Sequence, residues 1–212
     1  MMADNSKRLG LRGEEMSMSS QPKRHYTLEE YLALERSSDA RYEYWDGEIF
    51  LMSGGSFDHE LIISNVQDSL RNQLRDRNCY VLGQGMQIKV PAAPPYRYAD
   101  GSVVCGKREI EKFNSTDMLL NPVLIFEVLS PSTEGYDRGD KFRCYKSIPS
   151  FREYLLIAQD RPRIEHYVKQ TLRRWDYEDV EGLESEIRLP TIECTLLLSD
   201  VYRGVDRLSQ MG

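Results

Sequence analysis

Asn-Pro-Val-Leu-Ile-Phe-Glu-Val-Leu-Ser-Pro-Ser-Thr, residues 121–133, contains the most apolar strand candidate in the sequence. Six of the seven residues from Val123 to Leu129 are apolar, and Glu127 is the exception. A run of this kind is typical of a central strand that is covered on both faces. An ionised carboxylate left unpaired there would be costly, and its pKa would rise until the group became neutral. Glu127 therefore needs a partner, which is either a metal ion or an arginine on a neighbouring strand.

Asp100 heads a second predicted strand, Ser102–Cys105, directly after a proline-rich loop. An aspartate in that position, taken alone, is a common turn residue. The ends of strands in open sheets are, however, where ligands bind. If Asp100 lies beside Glu127, the two carboxylates supply hard oxygen ligands of the kind that Mg²⁺ and Mn²⁺ prefer.

Two further groups would complete such a metal site. The backbone carbonyl of Val128 would be a third protein ligand, with water and phosphate oxygens filling an octahedron. Lys141 lies on the helix that is predicted to follow Glu127. A lysine in that position would hold or activate an attacking water, or stabilise negative charge that develops on a phosphate.

Hydrophobic periodicity and turn signals predict a mixed β-sheet flanked by helices, an α/β (α+β) fold. Thr27 and Glu30 form a capping box that starts a short helix, and Asp46-Gly47 is a hairpin turn signal. Residues 107–121 are polar, and we expect them to form a flexible excursion. The other predicted elements are hairpin strands at Tyr42–Trp45 and Glu48–Met52, a long helix at 56–76, strands at 80–82, 86–90, 153–158, 163–169 and 172–175, a helix at 137–147 capped by Asp137, and a short helix after Ser199.

The length of 212 residues suits one domain with a short appendage. Residues 1–24 are polar and show no periodicity, so we expect a disordered leader there and a single domain over residues 25–212. The sequence contains no run of about 18 apolar residues that would predict a transmembrane helix. The N-terminus also lacks the apolar core of a signal peptide. These features predict a cytoplasmic protein with no membrane association.

The net charge of -6 counts against a constitutive nucleic-acid-binding protein, although a bound divalent metal would offset an acidic site. Local basic clusters are expected to be solvated surface: Arg71 with Arg75 and Arg77, Lys107 with Arg108, and Arg173 with Arg174. The cysteines form no Cys-x-x-Cys pair, which argues against a zinc ribbon or a redox motif. They are expected to be free thiols, mostly in apolar surroundings: Cys79, Cys105, Cys144 and Cys194.

Two sequence blocks, Asn121–Thr133 and Tyr136–Phe142, together with Tyr145, resemble the Uma-two-type family, which is abundant in cyanobacteria. That family belongs to the PD-(D/E)XK restriction-endonuclease-like superfamily. Other segments match in the same order, so that the resemblance covers about residues 25–205: the segment from Tyr42 to Ile49, His59, and the segment from Leu196 to Tyr202.

The resemblance implies one mixed sheet with an active site at its centre. The Pro-Asp pair of the family corresponds to Ala99-Asp100, with alanine in place of the proline. The Glu-x-Lys position corresponds to Glu127-Val128-Leu129, where the lysine is missing, and Lys141 resembles its migrated replacement.

The resemblance also suggests supporting residues whose roles stay open. Glu43 resembles the additional N-terminal acidic residue of the superfamily, although it is also a plausible strand-surface glutamate, and Glu48 competes with it. His59 resembles a recurring histidine that either contacts the site or caps a helix. Asp137 is expected to cap its helix, and Tyr145 to pack beside Lys141.

Three functions remain in competition. The first is an endonuclease that hydrolyses DNA phosphodiester bonds with Mg²⁺ or Mn²⁺. The second is a catalytically weak, nuclease-like protein that binds nucleic acid or a protein partner. The third is an unrelated regulatory or structural domain, against which the buried Glu127 argues. Because a subunit with one site needs a second copy to cut both strands of a duplex, the expected assembly is a homodimer with DNA as its substrate.

Overall fold

The computed structural model describes residues 24–38, 40–45, 47–51, 54–91, 96–113, 116–131 and 133–206. Nearly all of the predicted leader therefore lies outside the described residues, as do Asp46, Met52, Pro94 and Pro95. The helical elements are α1 Leu28–Ser37, α2 Phe57–Leu74, α3 Glu134–Tyr136, a π-helical turn Asp137–Lys141, α4 Phe142–Tyr145 and α5 Leu198–Val201. The strands are β1 Tyr42–Trp45, β2 Glu48–Leu51, β3 Cys79–Gly83, β4 Gln87–Lys89, β5 Tyr96–Tyr98, β6 Gly101–Cys105, β7 Ile110–Phe113, β8 Thr116–Leu119, β9 Leu124–Leu129, β10 Glu153–Ala158, β11 Arg163–Lys169, β12 Trp175–Glu181, β13 Glu186–Leu189 and β14 Cys194–Leu197.

Within the described residues, the largest sheet has six strands in the order β12-β11-β10-β9-β6-β3. Strands β9 and β10 are parallel, and the other neighbouring pairs are antiparallel. Strand β9 lies in the interior of this sheet, and all six of its residues are buried. The predicted mixed sheet flanked by helices is thus confirmed, and its most apolar strand is central.

Helices cover both faces of strand β9. The alternating residues Leu124, Phe126 and Val128 pack into an apolar cluster with α2 and α5. Ile125 and Leu129 pack on the opposite face, against the helical segment that contains Phe142. Because side chains alternate along a strand, Glu127 points to the same face as Ile125 and Leu129.

The predicted starts of α1 and α2 and the predicted hairpin are confirmed. The capping box forms, since Thr27 Oγ1 accepts from Glu30 N at 3.2 Å and Glu30 Oε2 accepts from Thr27 N at 2.8 Å. Helix α2 begins after Ser56, whose hydroxyl accepts from the backbone of His59. Strands β1 and β2 form an antiparallel hairpin, with Gly47 at a φ of 79° in the turn. No helix in the described part of the chain is long and apolar enough to cross a membrane.

The expectation of a flexible excursion at residues 107–121 was wrong. This segment contains β7 and β8, which pair with each other, and β8 also pairs in parallel with β4. Together with β5 they form a second sheet in the order β5-β4-β8-β7. The inner end of β8 buries Met118 and Leu119, whereas Thr116 and Asp117 are exposed. Because half of the hairpin is polar and exposed, the sequence around β8 lacks the apolar pattern by which a strand is predicted.

The helix after β9 begins earlier than predicted. It starts at Glu134, so Asp137 is an interior residue and not a helix cap. The Asp137 carboxylate instead forms an ion pair with Lys141. Strand β12 starts at Trp175, and the predicted strand at residues 172–175 is mostly a turn in which Leu172 is 91% exposed. Strands β13 and β14, which pair antiparallel, were not predicted.

The expectation that all four cysteines are free thiols was wrong for two of them. Cys79 and Cys105 face each other across β3 and β6 and are joined by a disulfide. Cys144 and Cys194 are free and buried. The two bonded cysteines are 26 positions apart in sequence, so that only the pairing of the two strands brings them together.

Candidate active site

Asp100 and Glu127 meet where strands β6 and β9 pair. The antiparallel register sets Gly101 opposite Phe126, so that the preceding Asp100 lies beside Glu127. Asp100 N donates to Glu127 Oε2 at 3.2 Å, and Val128 N donates to Asp100 Oδ2 at 2.7 Å. Each carboxylate therefore accepts a hydrogen bond from a backbone N–H of the opposite strand segment.

Gly101 makes this close approach possible. A Cβ atom at this position would lie 2.1 Å from Cζ of Phe126, far inside contact distance. Phe126 is fully buried in the core between the sheet and α2, so its ring has little room to move. A glycine next to Asp100 thus sets the strand spacing that the acidic pair requires.

The helical segment after β9 adds three polar side chains on one face. Lys141 Nζ lies 3.0 Å from Glu127 Oε1 and 3.2 Å from Asp137 Oδ1. Tyr145 Oη donates to the same Glu127 oxygen at 3.0 Å. Residues 137, 141 and 145 succeed each other at intervals of four, the spacing that aligns side chains along a helix.

A π-helical turn carries this row of side chains. It spans Asp137–Lys141 and continues without a break into α4. Such turns are rare and are frequent at functional sites, because the additional residue re-aims the side chains that follow it. The backbone carbonyl of Asp137 also accepts a hydrogen bond from Tyr154 Oη on β10, which ties the turn to the sheet.

His59 reaches the same site from α2 on the other face of the sheet. Its Nε2 lies 3.0 Å from the carbonyl oxygen of Val128 and 3.5 Å from Asp100 Oδ2. A carbonyl can only accept a hydrogen bond, so Nε2 carries the hydrogen in this arrangement. His59 therefore donates a hydrogen bond to the Val128 carbonyl and helps to orient it and the nearby Asp100 carboxylate.

A cleft of about 660 Å³ is lined by five of the residues described so far: His59, Asp100, Glu127, Asp137 and Lys141. Glu43 on β1 is buried at its wall, where Oε1 accepts from Tyr98 N at 3.2 Å. Of the two competing acidic residues, Glu43 lines the cleft and Glu48 does not. Other residues at its wall include Arg41, Phe50, Gln84, Tyr136 and Gln159.

A model of the family described as "Uma2: Putative restriction endonuclease" matches residues 28–198. The chain belongs to the Uma2 family. The match contains all of the side chains described above, from Glu43 on β1 to Tyr145 on α4. The predicted family resemblance is thereby confirmed.

Two relatives come from Synechocystis sp. (strain ATCC 27184 / PCC 6803 / Kazusa), and both are named as uncharacterized proteins. The protein slr1290 is 34% identical over 180 residues, which cover 84% of this chain and 91% of the relative. The protein sll1609 is 36% identical over 163 residues, covering 76% and 90%.

A solved structure shares the fold. It is the crystal structure of "a putative nuclease belonging to DUF820 from Anabaena variabilis ATCC 29413", with a TM-score of 0.66 at 19% sequence identity. The match covers 83% of this chain and 97% of that chain. The Uma2 family description supports a nuclease-like function, and the solved structure shows the fold.

Burial dominates the electrostatics of the acidic pair. It raises the pKa of Asp100, and it raises the pKa of Glu127 well above the ordinary value of 4.5, while Lys141 acts in the opposite direction on both. Burial alone would lower the pKa of Lys141, but Glu127, Asp137 and Glu43 together raise it well above 10.5. Lys141 therefore stays an ammonium ion at neutral pH.

Sequence reasoning underestimated two residues of this Uma2 site. Asp137 was expected to cap a helix, and Tyr145 to pack beside Lys141, yet both make direct polar contacts in the site. Their spacing of four residues on either side of Lys141 was a usable signal. Asp100, Glu127, Lys141 and Glu43 do come together around one cleft, while their catalytic and metal-binding roles stay predictions.

Proposed function

We propose that the chain is an endonuclease that hydrolyses phosphodiester bonds in DNA, with Mg²⁺ or Mn²⁺ held by Asp100 and Glu127. One observation carries this proposal: the buried carboxylate of Glu127 on β9 and the partly exposed carboxylate of Asp100, just before β6, lie side by side at a cleft, with the Lys141 ammonium 3.0 Å from Glu127. Buried carboxylates in this arrangement are stabilised by cations.

The charges of the site fit a divalent cation. Asp100, Glu127 and Asp137 would carry three negative charges when ionised, and Lys141 carries one positive charge, which leaves two negative charges uncompensated. In the described residues no cluster of three or more His, Cys, Asp or Glu side chains has the spacing to hold a metal ion. Mg²⁺, however, is commonly bound through one or two carboxylates, with water and substrate phosphate as its other ligands.

Asp100, Glu127 and the carbonyl of Val128 would hold the ion. All three are oxygen ligands, as Mg²⁺ and Mn²⁺ prefer. When bound, the ion would act as a Lewis acid on the scissile phosphate. Tyr145 donates a hydrogen bond to Glu127, and His59 donates one to the Val128 carbonyl. These bonds would fix the orientation of the two ligands.

Lys141 would act through its charge. Because its pKa is raised well above 10.5, it is a poor proton acceptor at neutral pH. Its ammonium would donate hydrogen bonds to the phosphate and stabilise the negative charge that develops during hydrolysis. Asp137 would position Lys141, and Glu43, which faces the same cleft, would contribute a further acidic group.

Cleavage of both strands of a duplex by such a subunit would require a second copy. We therefore propose a two-fold symmetric homodimer as the active assembly. Sedimentation at micromolar protein concentration tests this assembly independently of activity, and a monomer under the conditions of cleavage would contradict it.

The proposed function is tested by incubating the purified protein with supercoiled, linear and branched DNA in Mg²⁺, Mn²⁺ or EDTA. We expect cleavage that requires the divalent ion and is abolished by Asp100→Asn and by Glu127→Gln. The control variant Glu184→Gln, at an exposed position outside the cleft, should remain active. Binding of DNA without any cleavage would favour the catalytically weak, nuclease-like protein instead. Cleavage that survives both substitutions would exclude this site.

A further inference from the structure

Four basic residues lie at the end of the sheet that is away from the cleft. Lys146 follows α4, Arg152 precedes β10, Lys169 ends β11, and Arg173 lies in the turn between β11 and β12. We refer to these four residues as the basic patch. Arg152 and Lys169 are adjacent, because Lys169 N donates to the Arg152 carbonyl at 2.8 Å.

The basic patch lacks the acidic partners that other basic residues have. Arg143 pairs with Asp140 at 2.7 Å, and Arg174 pairs with Asp176 at 3.1 Å. Over the described ranges of the chain, by contrast, no salt bridge joins any member of the basic patch to a carboxylate. In a protein with a net charge of -6, such a concentration of uncompensated positive charge is notable.

Two of these cations lie against the same aromatic ring. Lys146 Nζ and Lys169 Nζ each lie 5.8 Å from the centre of the Trp175 ring, and Lys146 Nζ lies 3.8 Å from the centre of the Phe142 ring. Burial lowers the pKa of Lys146, and burial together with Arg152 lowers the pKa of Lys169. A bound anion would relieve this accumulation of positive charge.

The basic patch and the cleft lie at opposite ends of β10. Gln159, just after this strand, lines the cleft, and Arg152, just before it, belongs to the patch. Six residues of extended strand at about 3.3 Å each separate the two ends by roughly 20 Å. About six base pairs of duplex DNA cover the same distance, at roughly 3.4 Å per base pair.

We propose that the basic patch is a second binding surface for the phosphate backbone of nucleic acid, outside the catalytic cleft. Neighbouring cations with a half-buried indole between them are suited to a phosphate chain, which carries closely and regularly spaced negative charges. Leu172, which is 91% exposed beside Arg173, gives the same surface an apolar tip that could contact sugars or bases. The choice of nucleic acid over an acidic protein as the partner rests on the proposed nuclease function. The existence of an anion-binding surface rests only on the positions and charges of the four basic residues.

The proposal is tested by fluorescence anisotropy with a labelled DNA duplex in EDTA over a series of salt concentrations. The double variant Lys146→Gln with Lys169→Gln removes two charges from the patch. The double variant Arg71→Gln with Arg75→Gln removes the same charge from two exposed positions, one in the last turn of α2 and one directly after it, and serves as the matched control. Circular dichroism melts verify that both variants are folded.

We expect the patch variant to bind DNA about tenfold more weakly, with the slope of log K against log salt reduced by about 1.8, or about 0.9 for each lost phosphate contact. The control should keep nearly the wild-type slope. An unchanged slope in the patch variant, an equal loss in both variants, or equal competition by polyglutamate would overturn the proposal. Binding is measured without a divalent ion, so it does not depend on cleavage. If the patch binds DNA but the protein never cleaves it, the proposed nuclease function is rejected and the proposed binding surface is not.

Discussion

Glu127 receives three contacts from different elements, although its neighbours in β9 are all apolar. The backbone N–H of Asp100, just before β6, donates to it, and Lys141 and Tyr145 approach from the helical segment. Sequence alone indicated that Glu127 needed a partner and identified Asp100 and Lys141 as candidates. It did not predict the contact of Tyr145, because a tyrosine one turn from a lysine is equally compatible with simple packing.

The raised pKa values of Asp100 and Glu127 make the metal-free protein sensitive to pH. A carboxyl group whose pKa is raised on folding stabilises the protein fully below its unfolded pKa, and this contribution is lost as the pH rises through the folded pKa. We therefore expect the melting temperature in EDTA to fall as the pH rises from the ordinary values of 3.8 and 4.5 towards neutrality. Each unit of pKa shift corresponds to about 1.4 kcal/mol.

The Glu127→Gln variant isolates this effect. Because glutamine does not ionise, the melting temperature of this variant should fall less than that of the wild type over the same pH range. Glu184→Gln removes an exposed carboxylate outside the cleft, and its melting curve should depend on pH as that of the wild type does. Parallel curves for the wild type and Glu127→Gln would show that the buried carboxyl group is not responsible.

Lys141→Ala tests the role of the buried ammonium. The substitution leaves Glu127 and Asp137 without their common cation, and removal of one partner from a buried ion pair costs about 3–5 kcal/mol. The metal-free variant should unfold at lower temperature, Mg²⁺ should restore more stability to it than to the wild type, and DNA cleavage should be slow. Lys107→Ala, at an exposed lysine, is the control, and equal effects of the two substitutions in thermal melts would contradict this role.

Elements with strong local signals were predicted well. The capping box of α1, the long periodicity of α2 and the apolar run of β9 are local properties, so they could be recognised without knowledge of the rest of the chain. Strands β7 and β8 could not, because their identity depends on pairing with β4, which is far away in sequence. The predicted start of the helical segment was also wrong, because a π-helical turn departs from the periodicity on which helix prediction relies.

Gly101→Ala tests the contact between β6 and β9. The added Cβ atom would meet the Phe126 ring at 2.1 Å, and forcing a buried ring aside costs about 1–3 kcal/mol. Because the strands would move apart at the acidic pair, the stabilisation by Mg²⁺ should decrease as well. Thermal melts with and without Mg²⁺ measure both effects.

Two further variants serve as controls for this contact. At Gly135, no neighbouring atom lies within 4 Å of an added Cβ atom, so Gly135→Ala should be close to neutral. The smaller side chain in Phe126→Leu should partly rescue Gly101→Ala. Destabilisation of the same size at Gly135, or no rescue at all, would show that the contact with Phe126 is not the cause.

On the scale of the whole molecule, the topology assembles residues that are distant in sequence. His59 on α2, Asp100 before β6, Glu127 on β9 and Lys141 in the π-helical turn reach one cleft because β6 and β9 are neighbours in the sheet. Composition and periodicity predicted the class of fold, but strand order and the second sheet depend on long-range pairing. The disulfide between Cys79 and Cys105 was unpredictable for the same reason.

The central claim is that Asp100 and Glu127 together bind a divalent cation. Anomalous diffraction from crystals grown with Mn²⁺ tests it most directly, because the ion itself is located. We predict an anomalous peak within bonding distance of both carboxylates and the carbonyl of Val128, with Lys141 retained on Asp137, and no such peak in Asp100→Asn. A peak elsewhere, or an Mn²⁺-free site in which Lys141 still pairs with Glu127 at saturating Mn²⁺, would contradict the account.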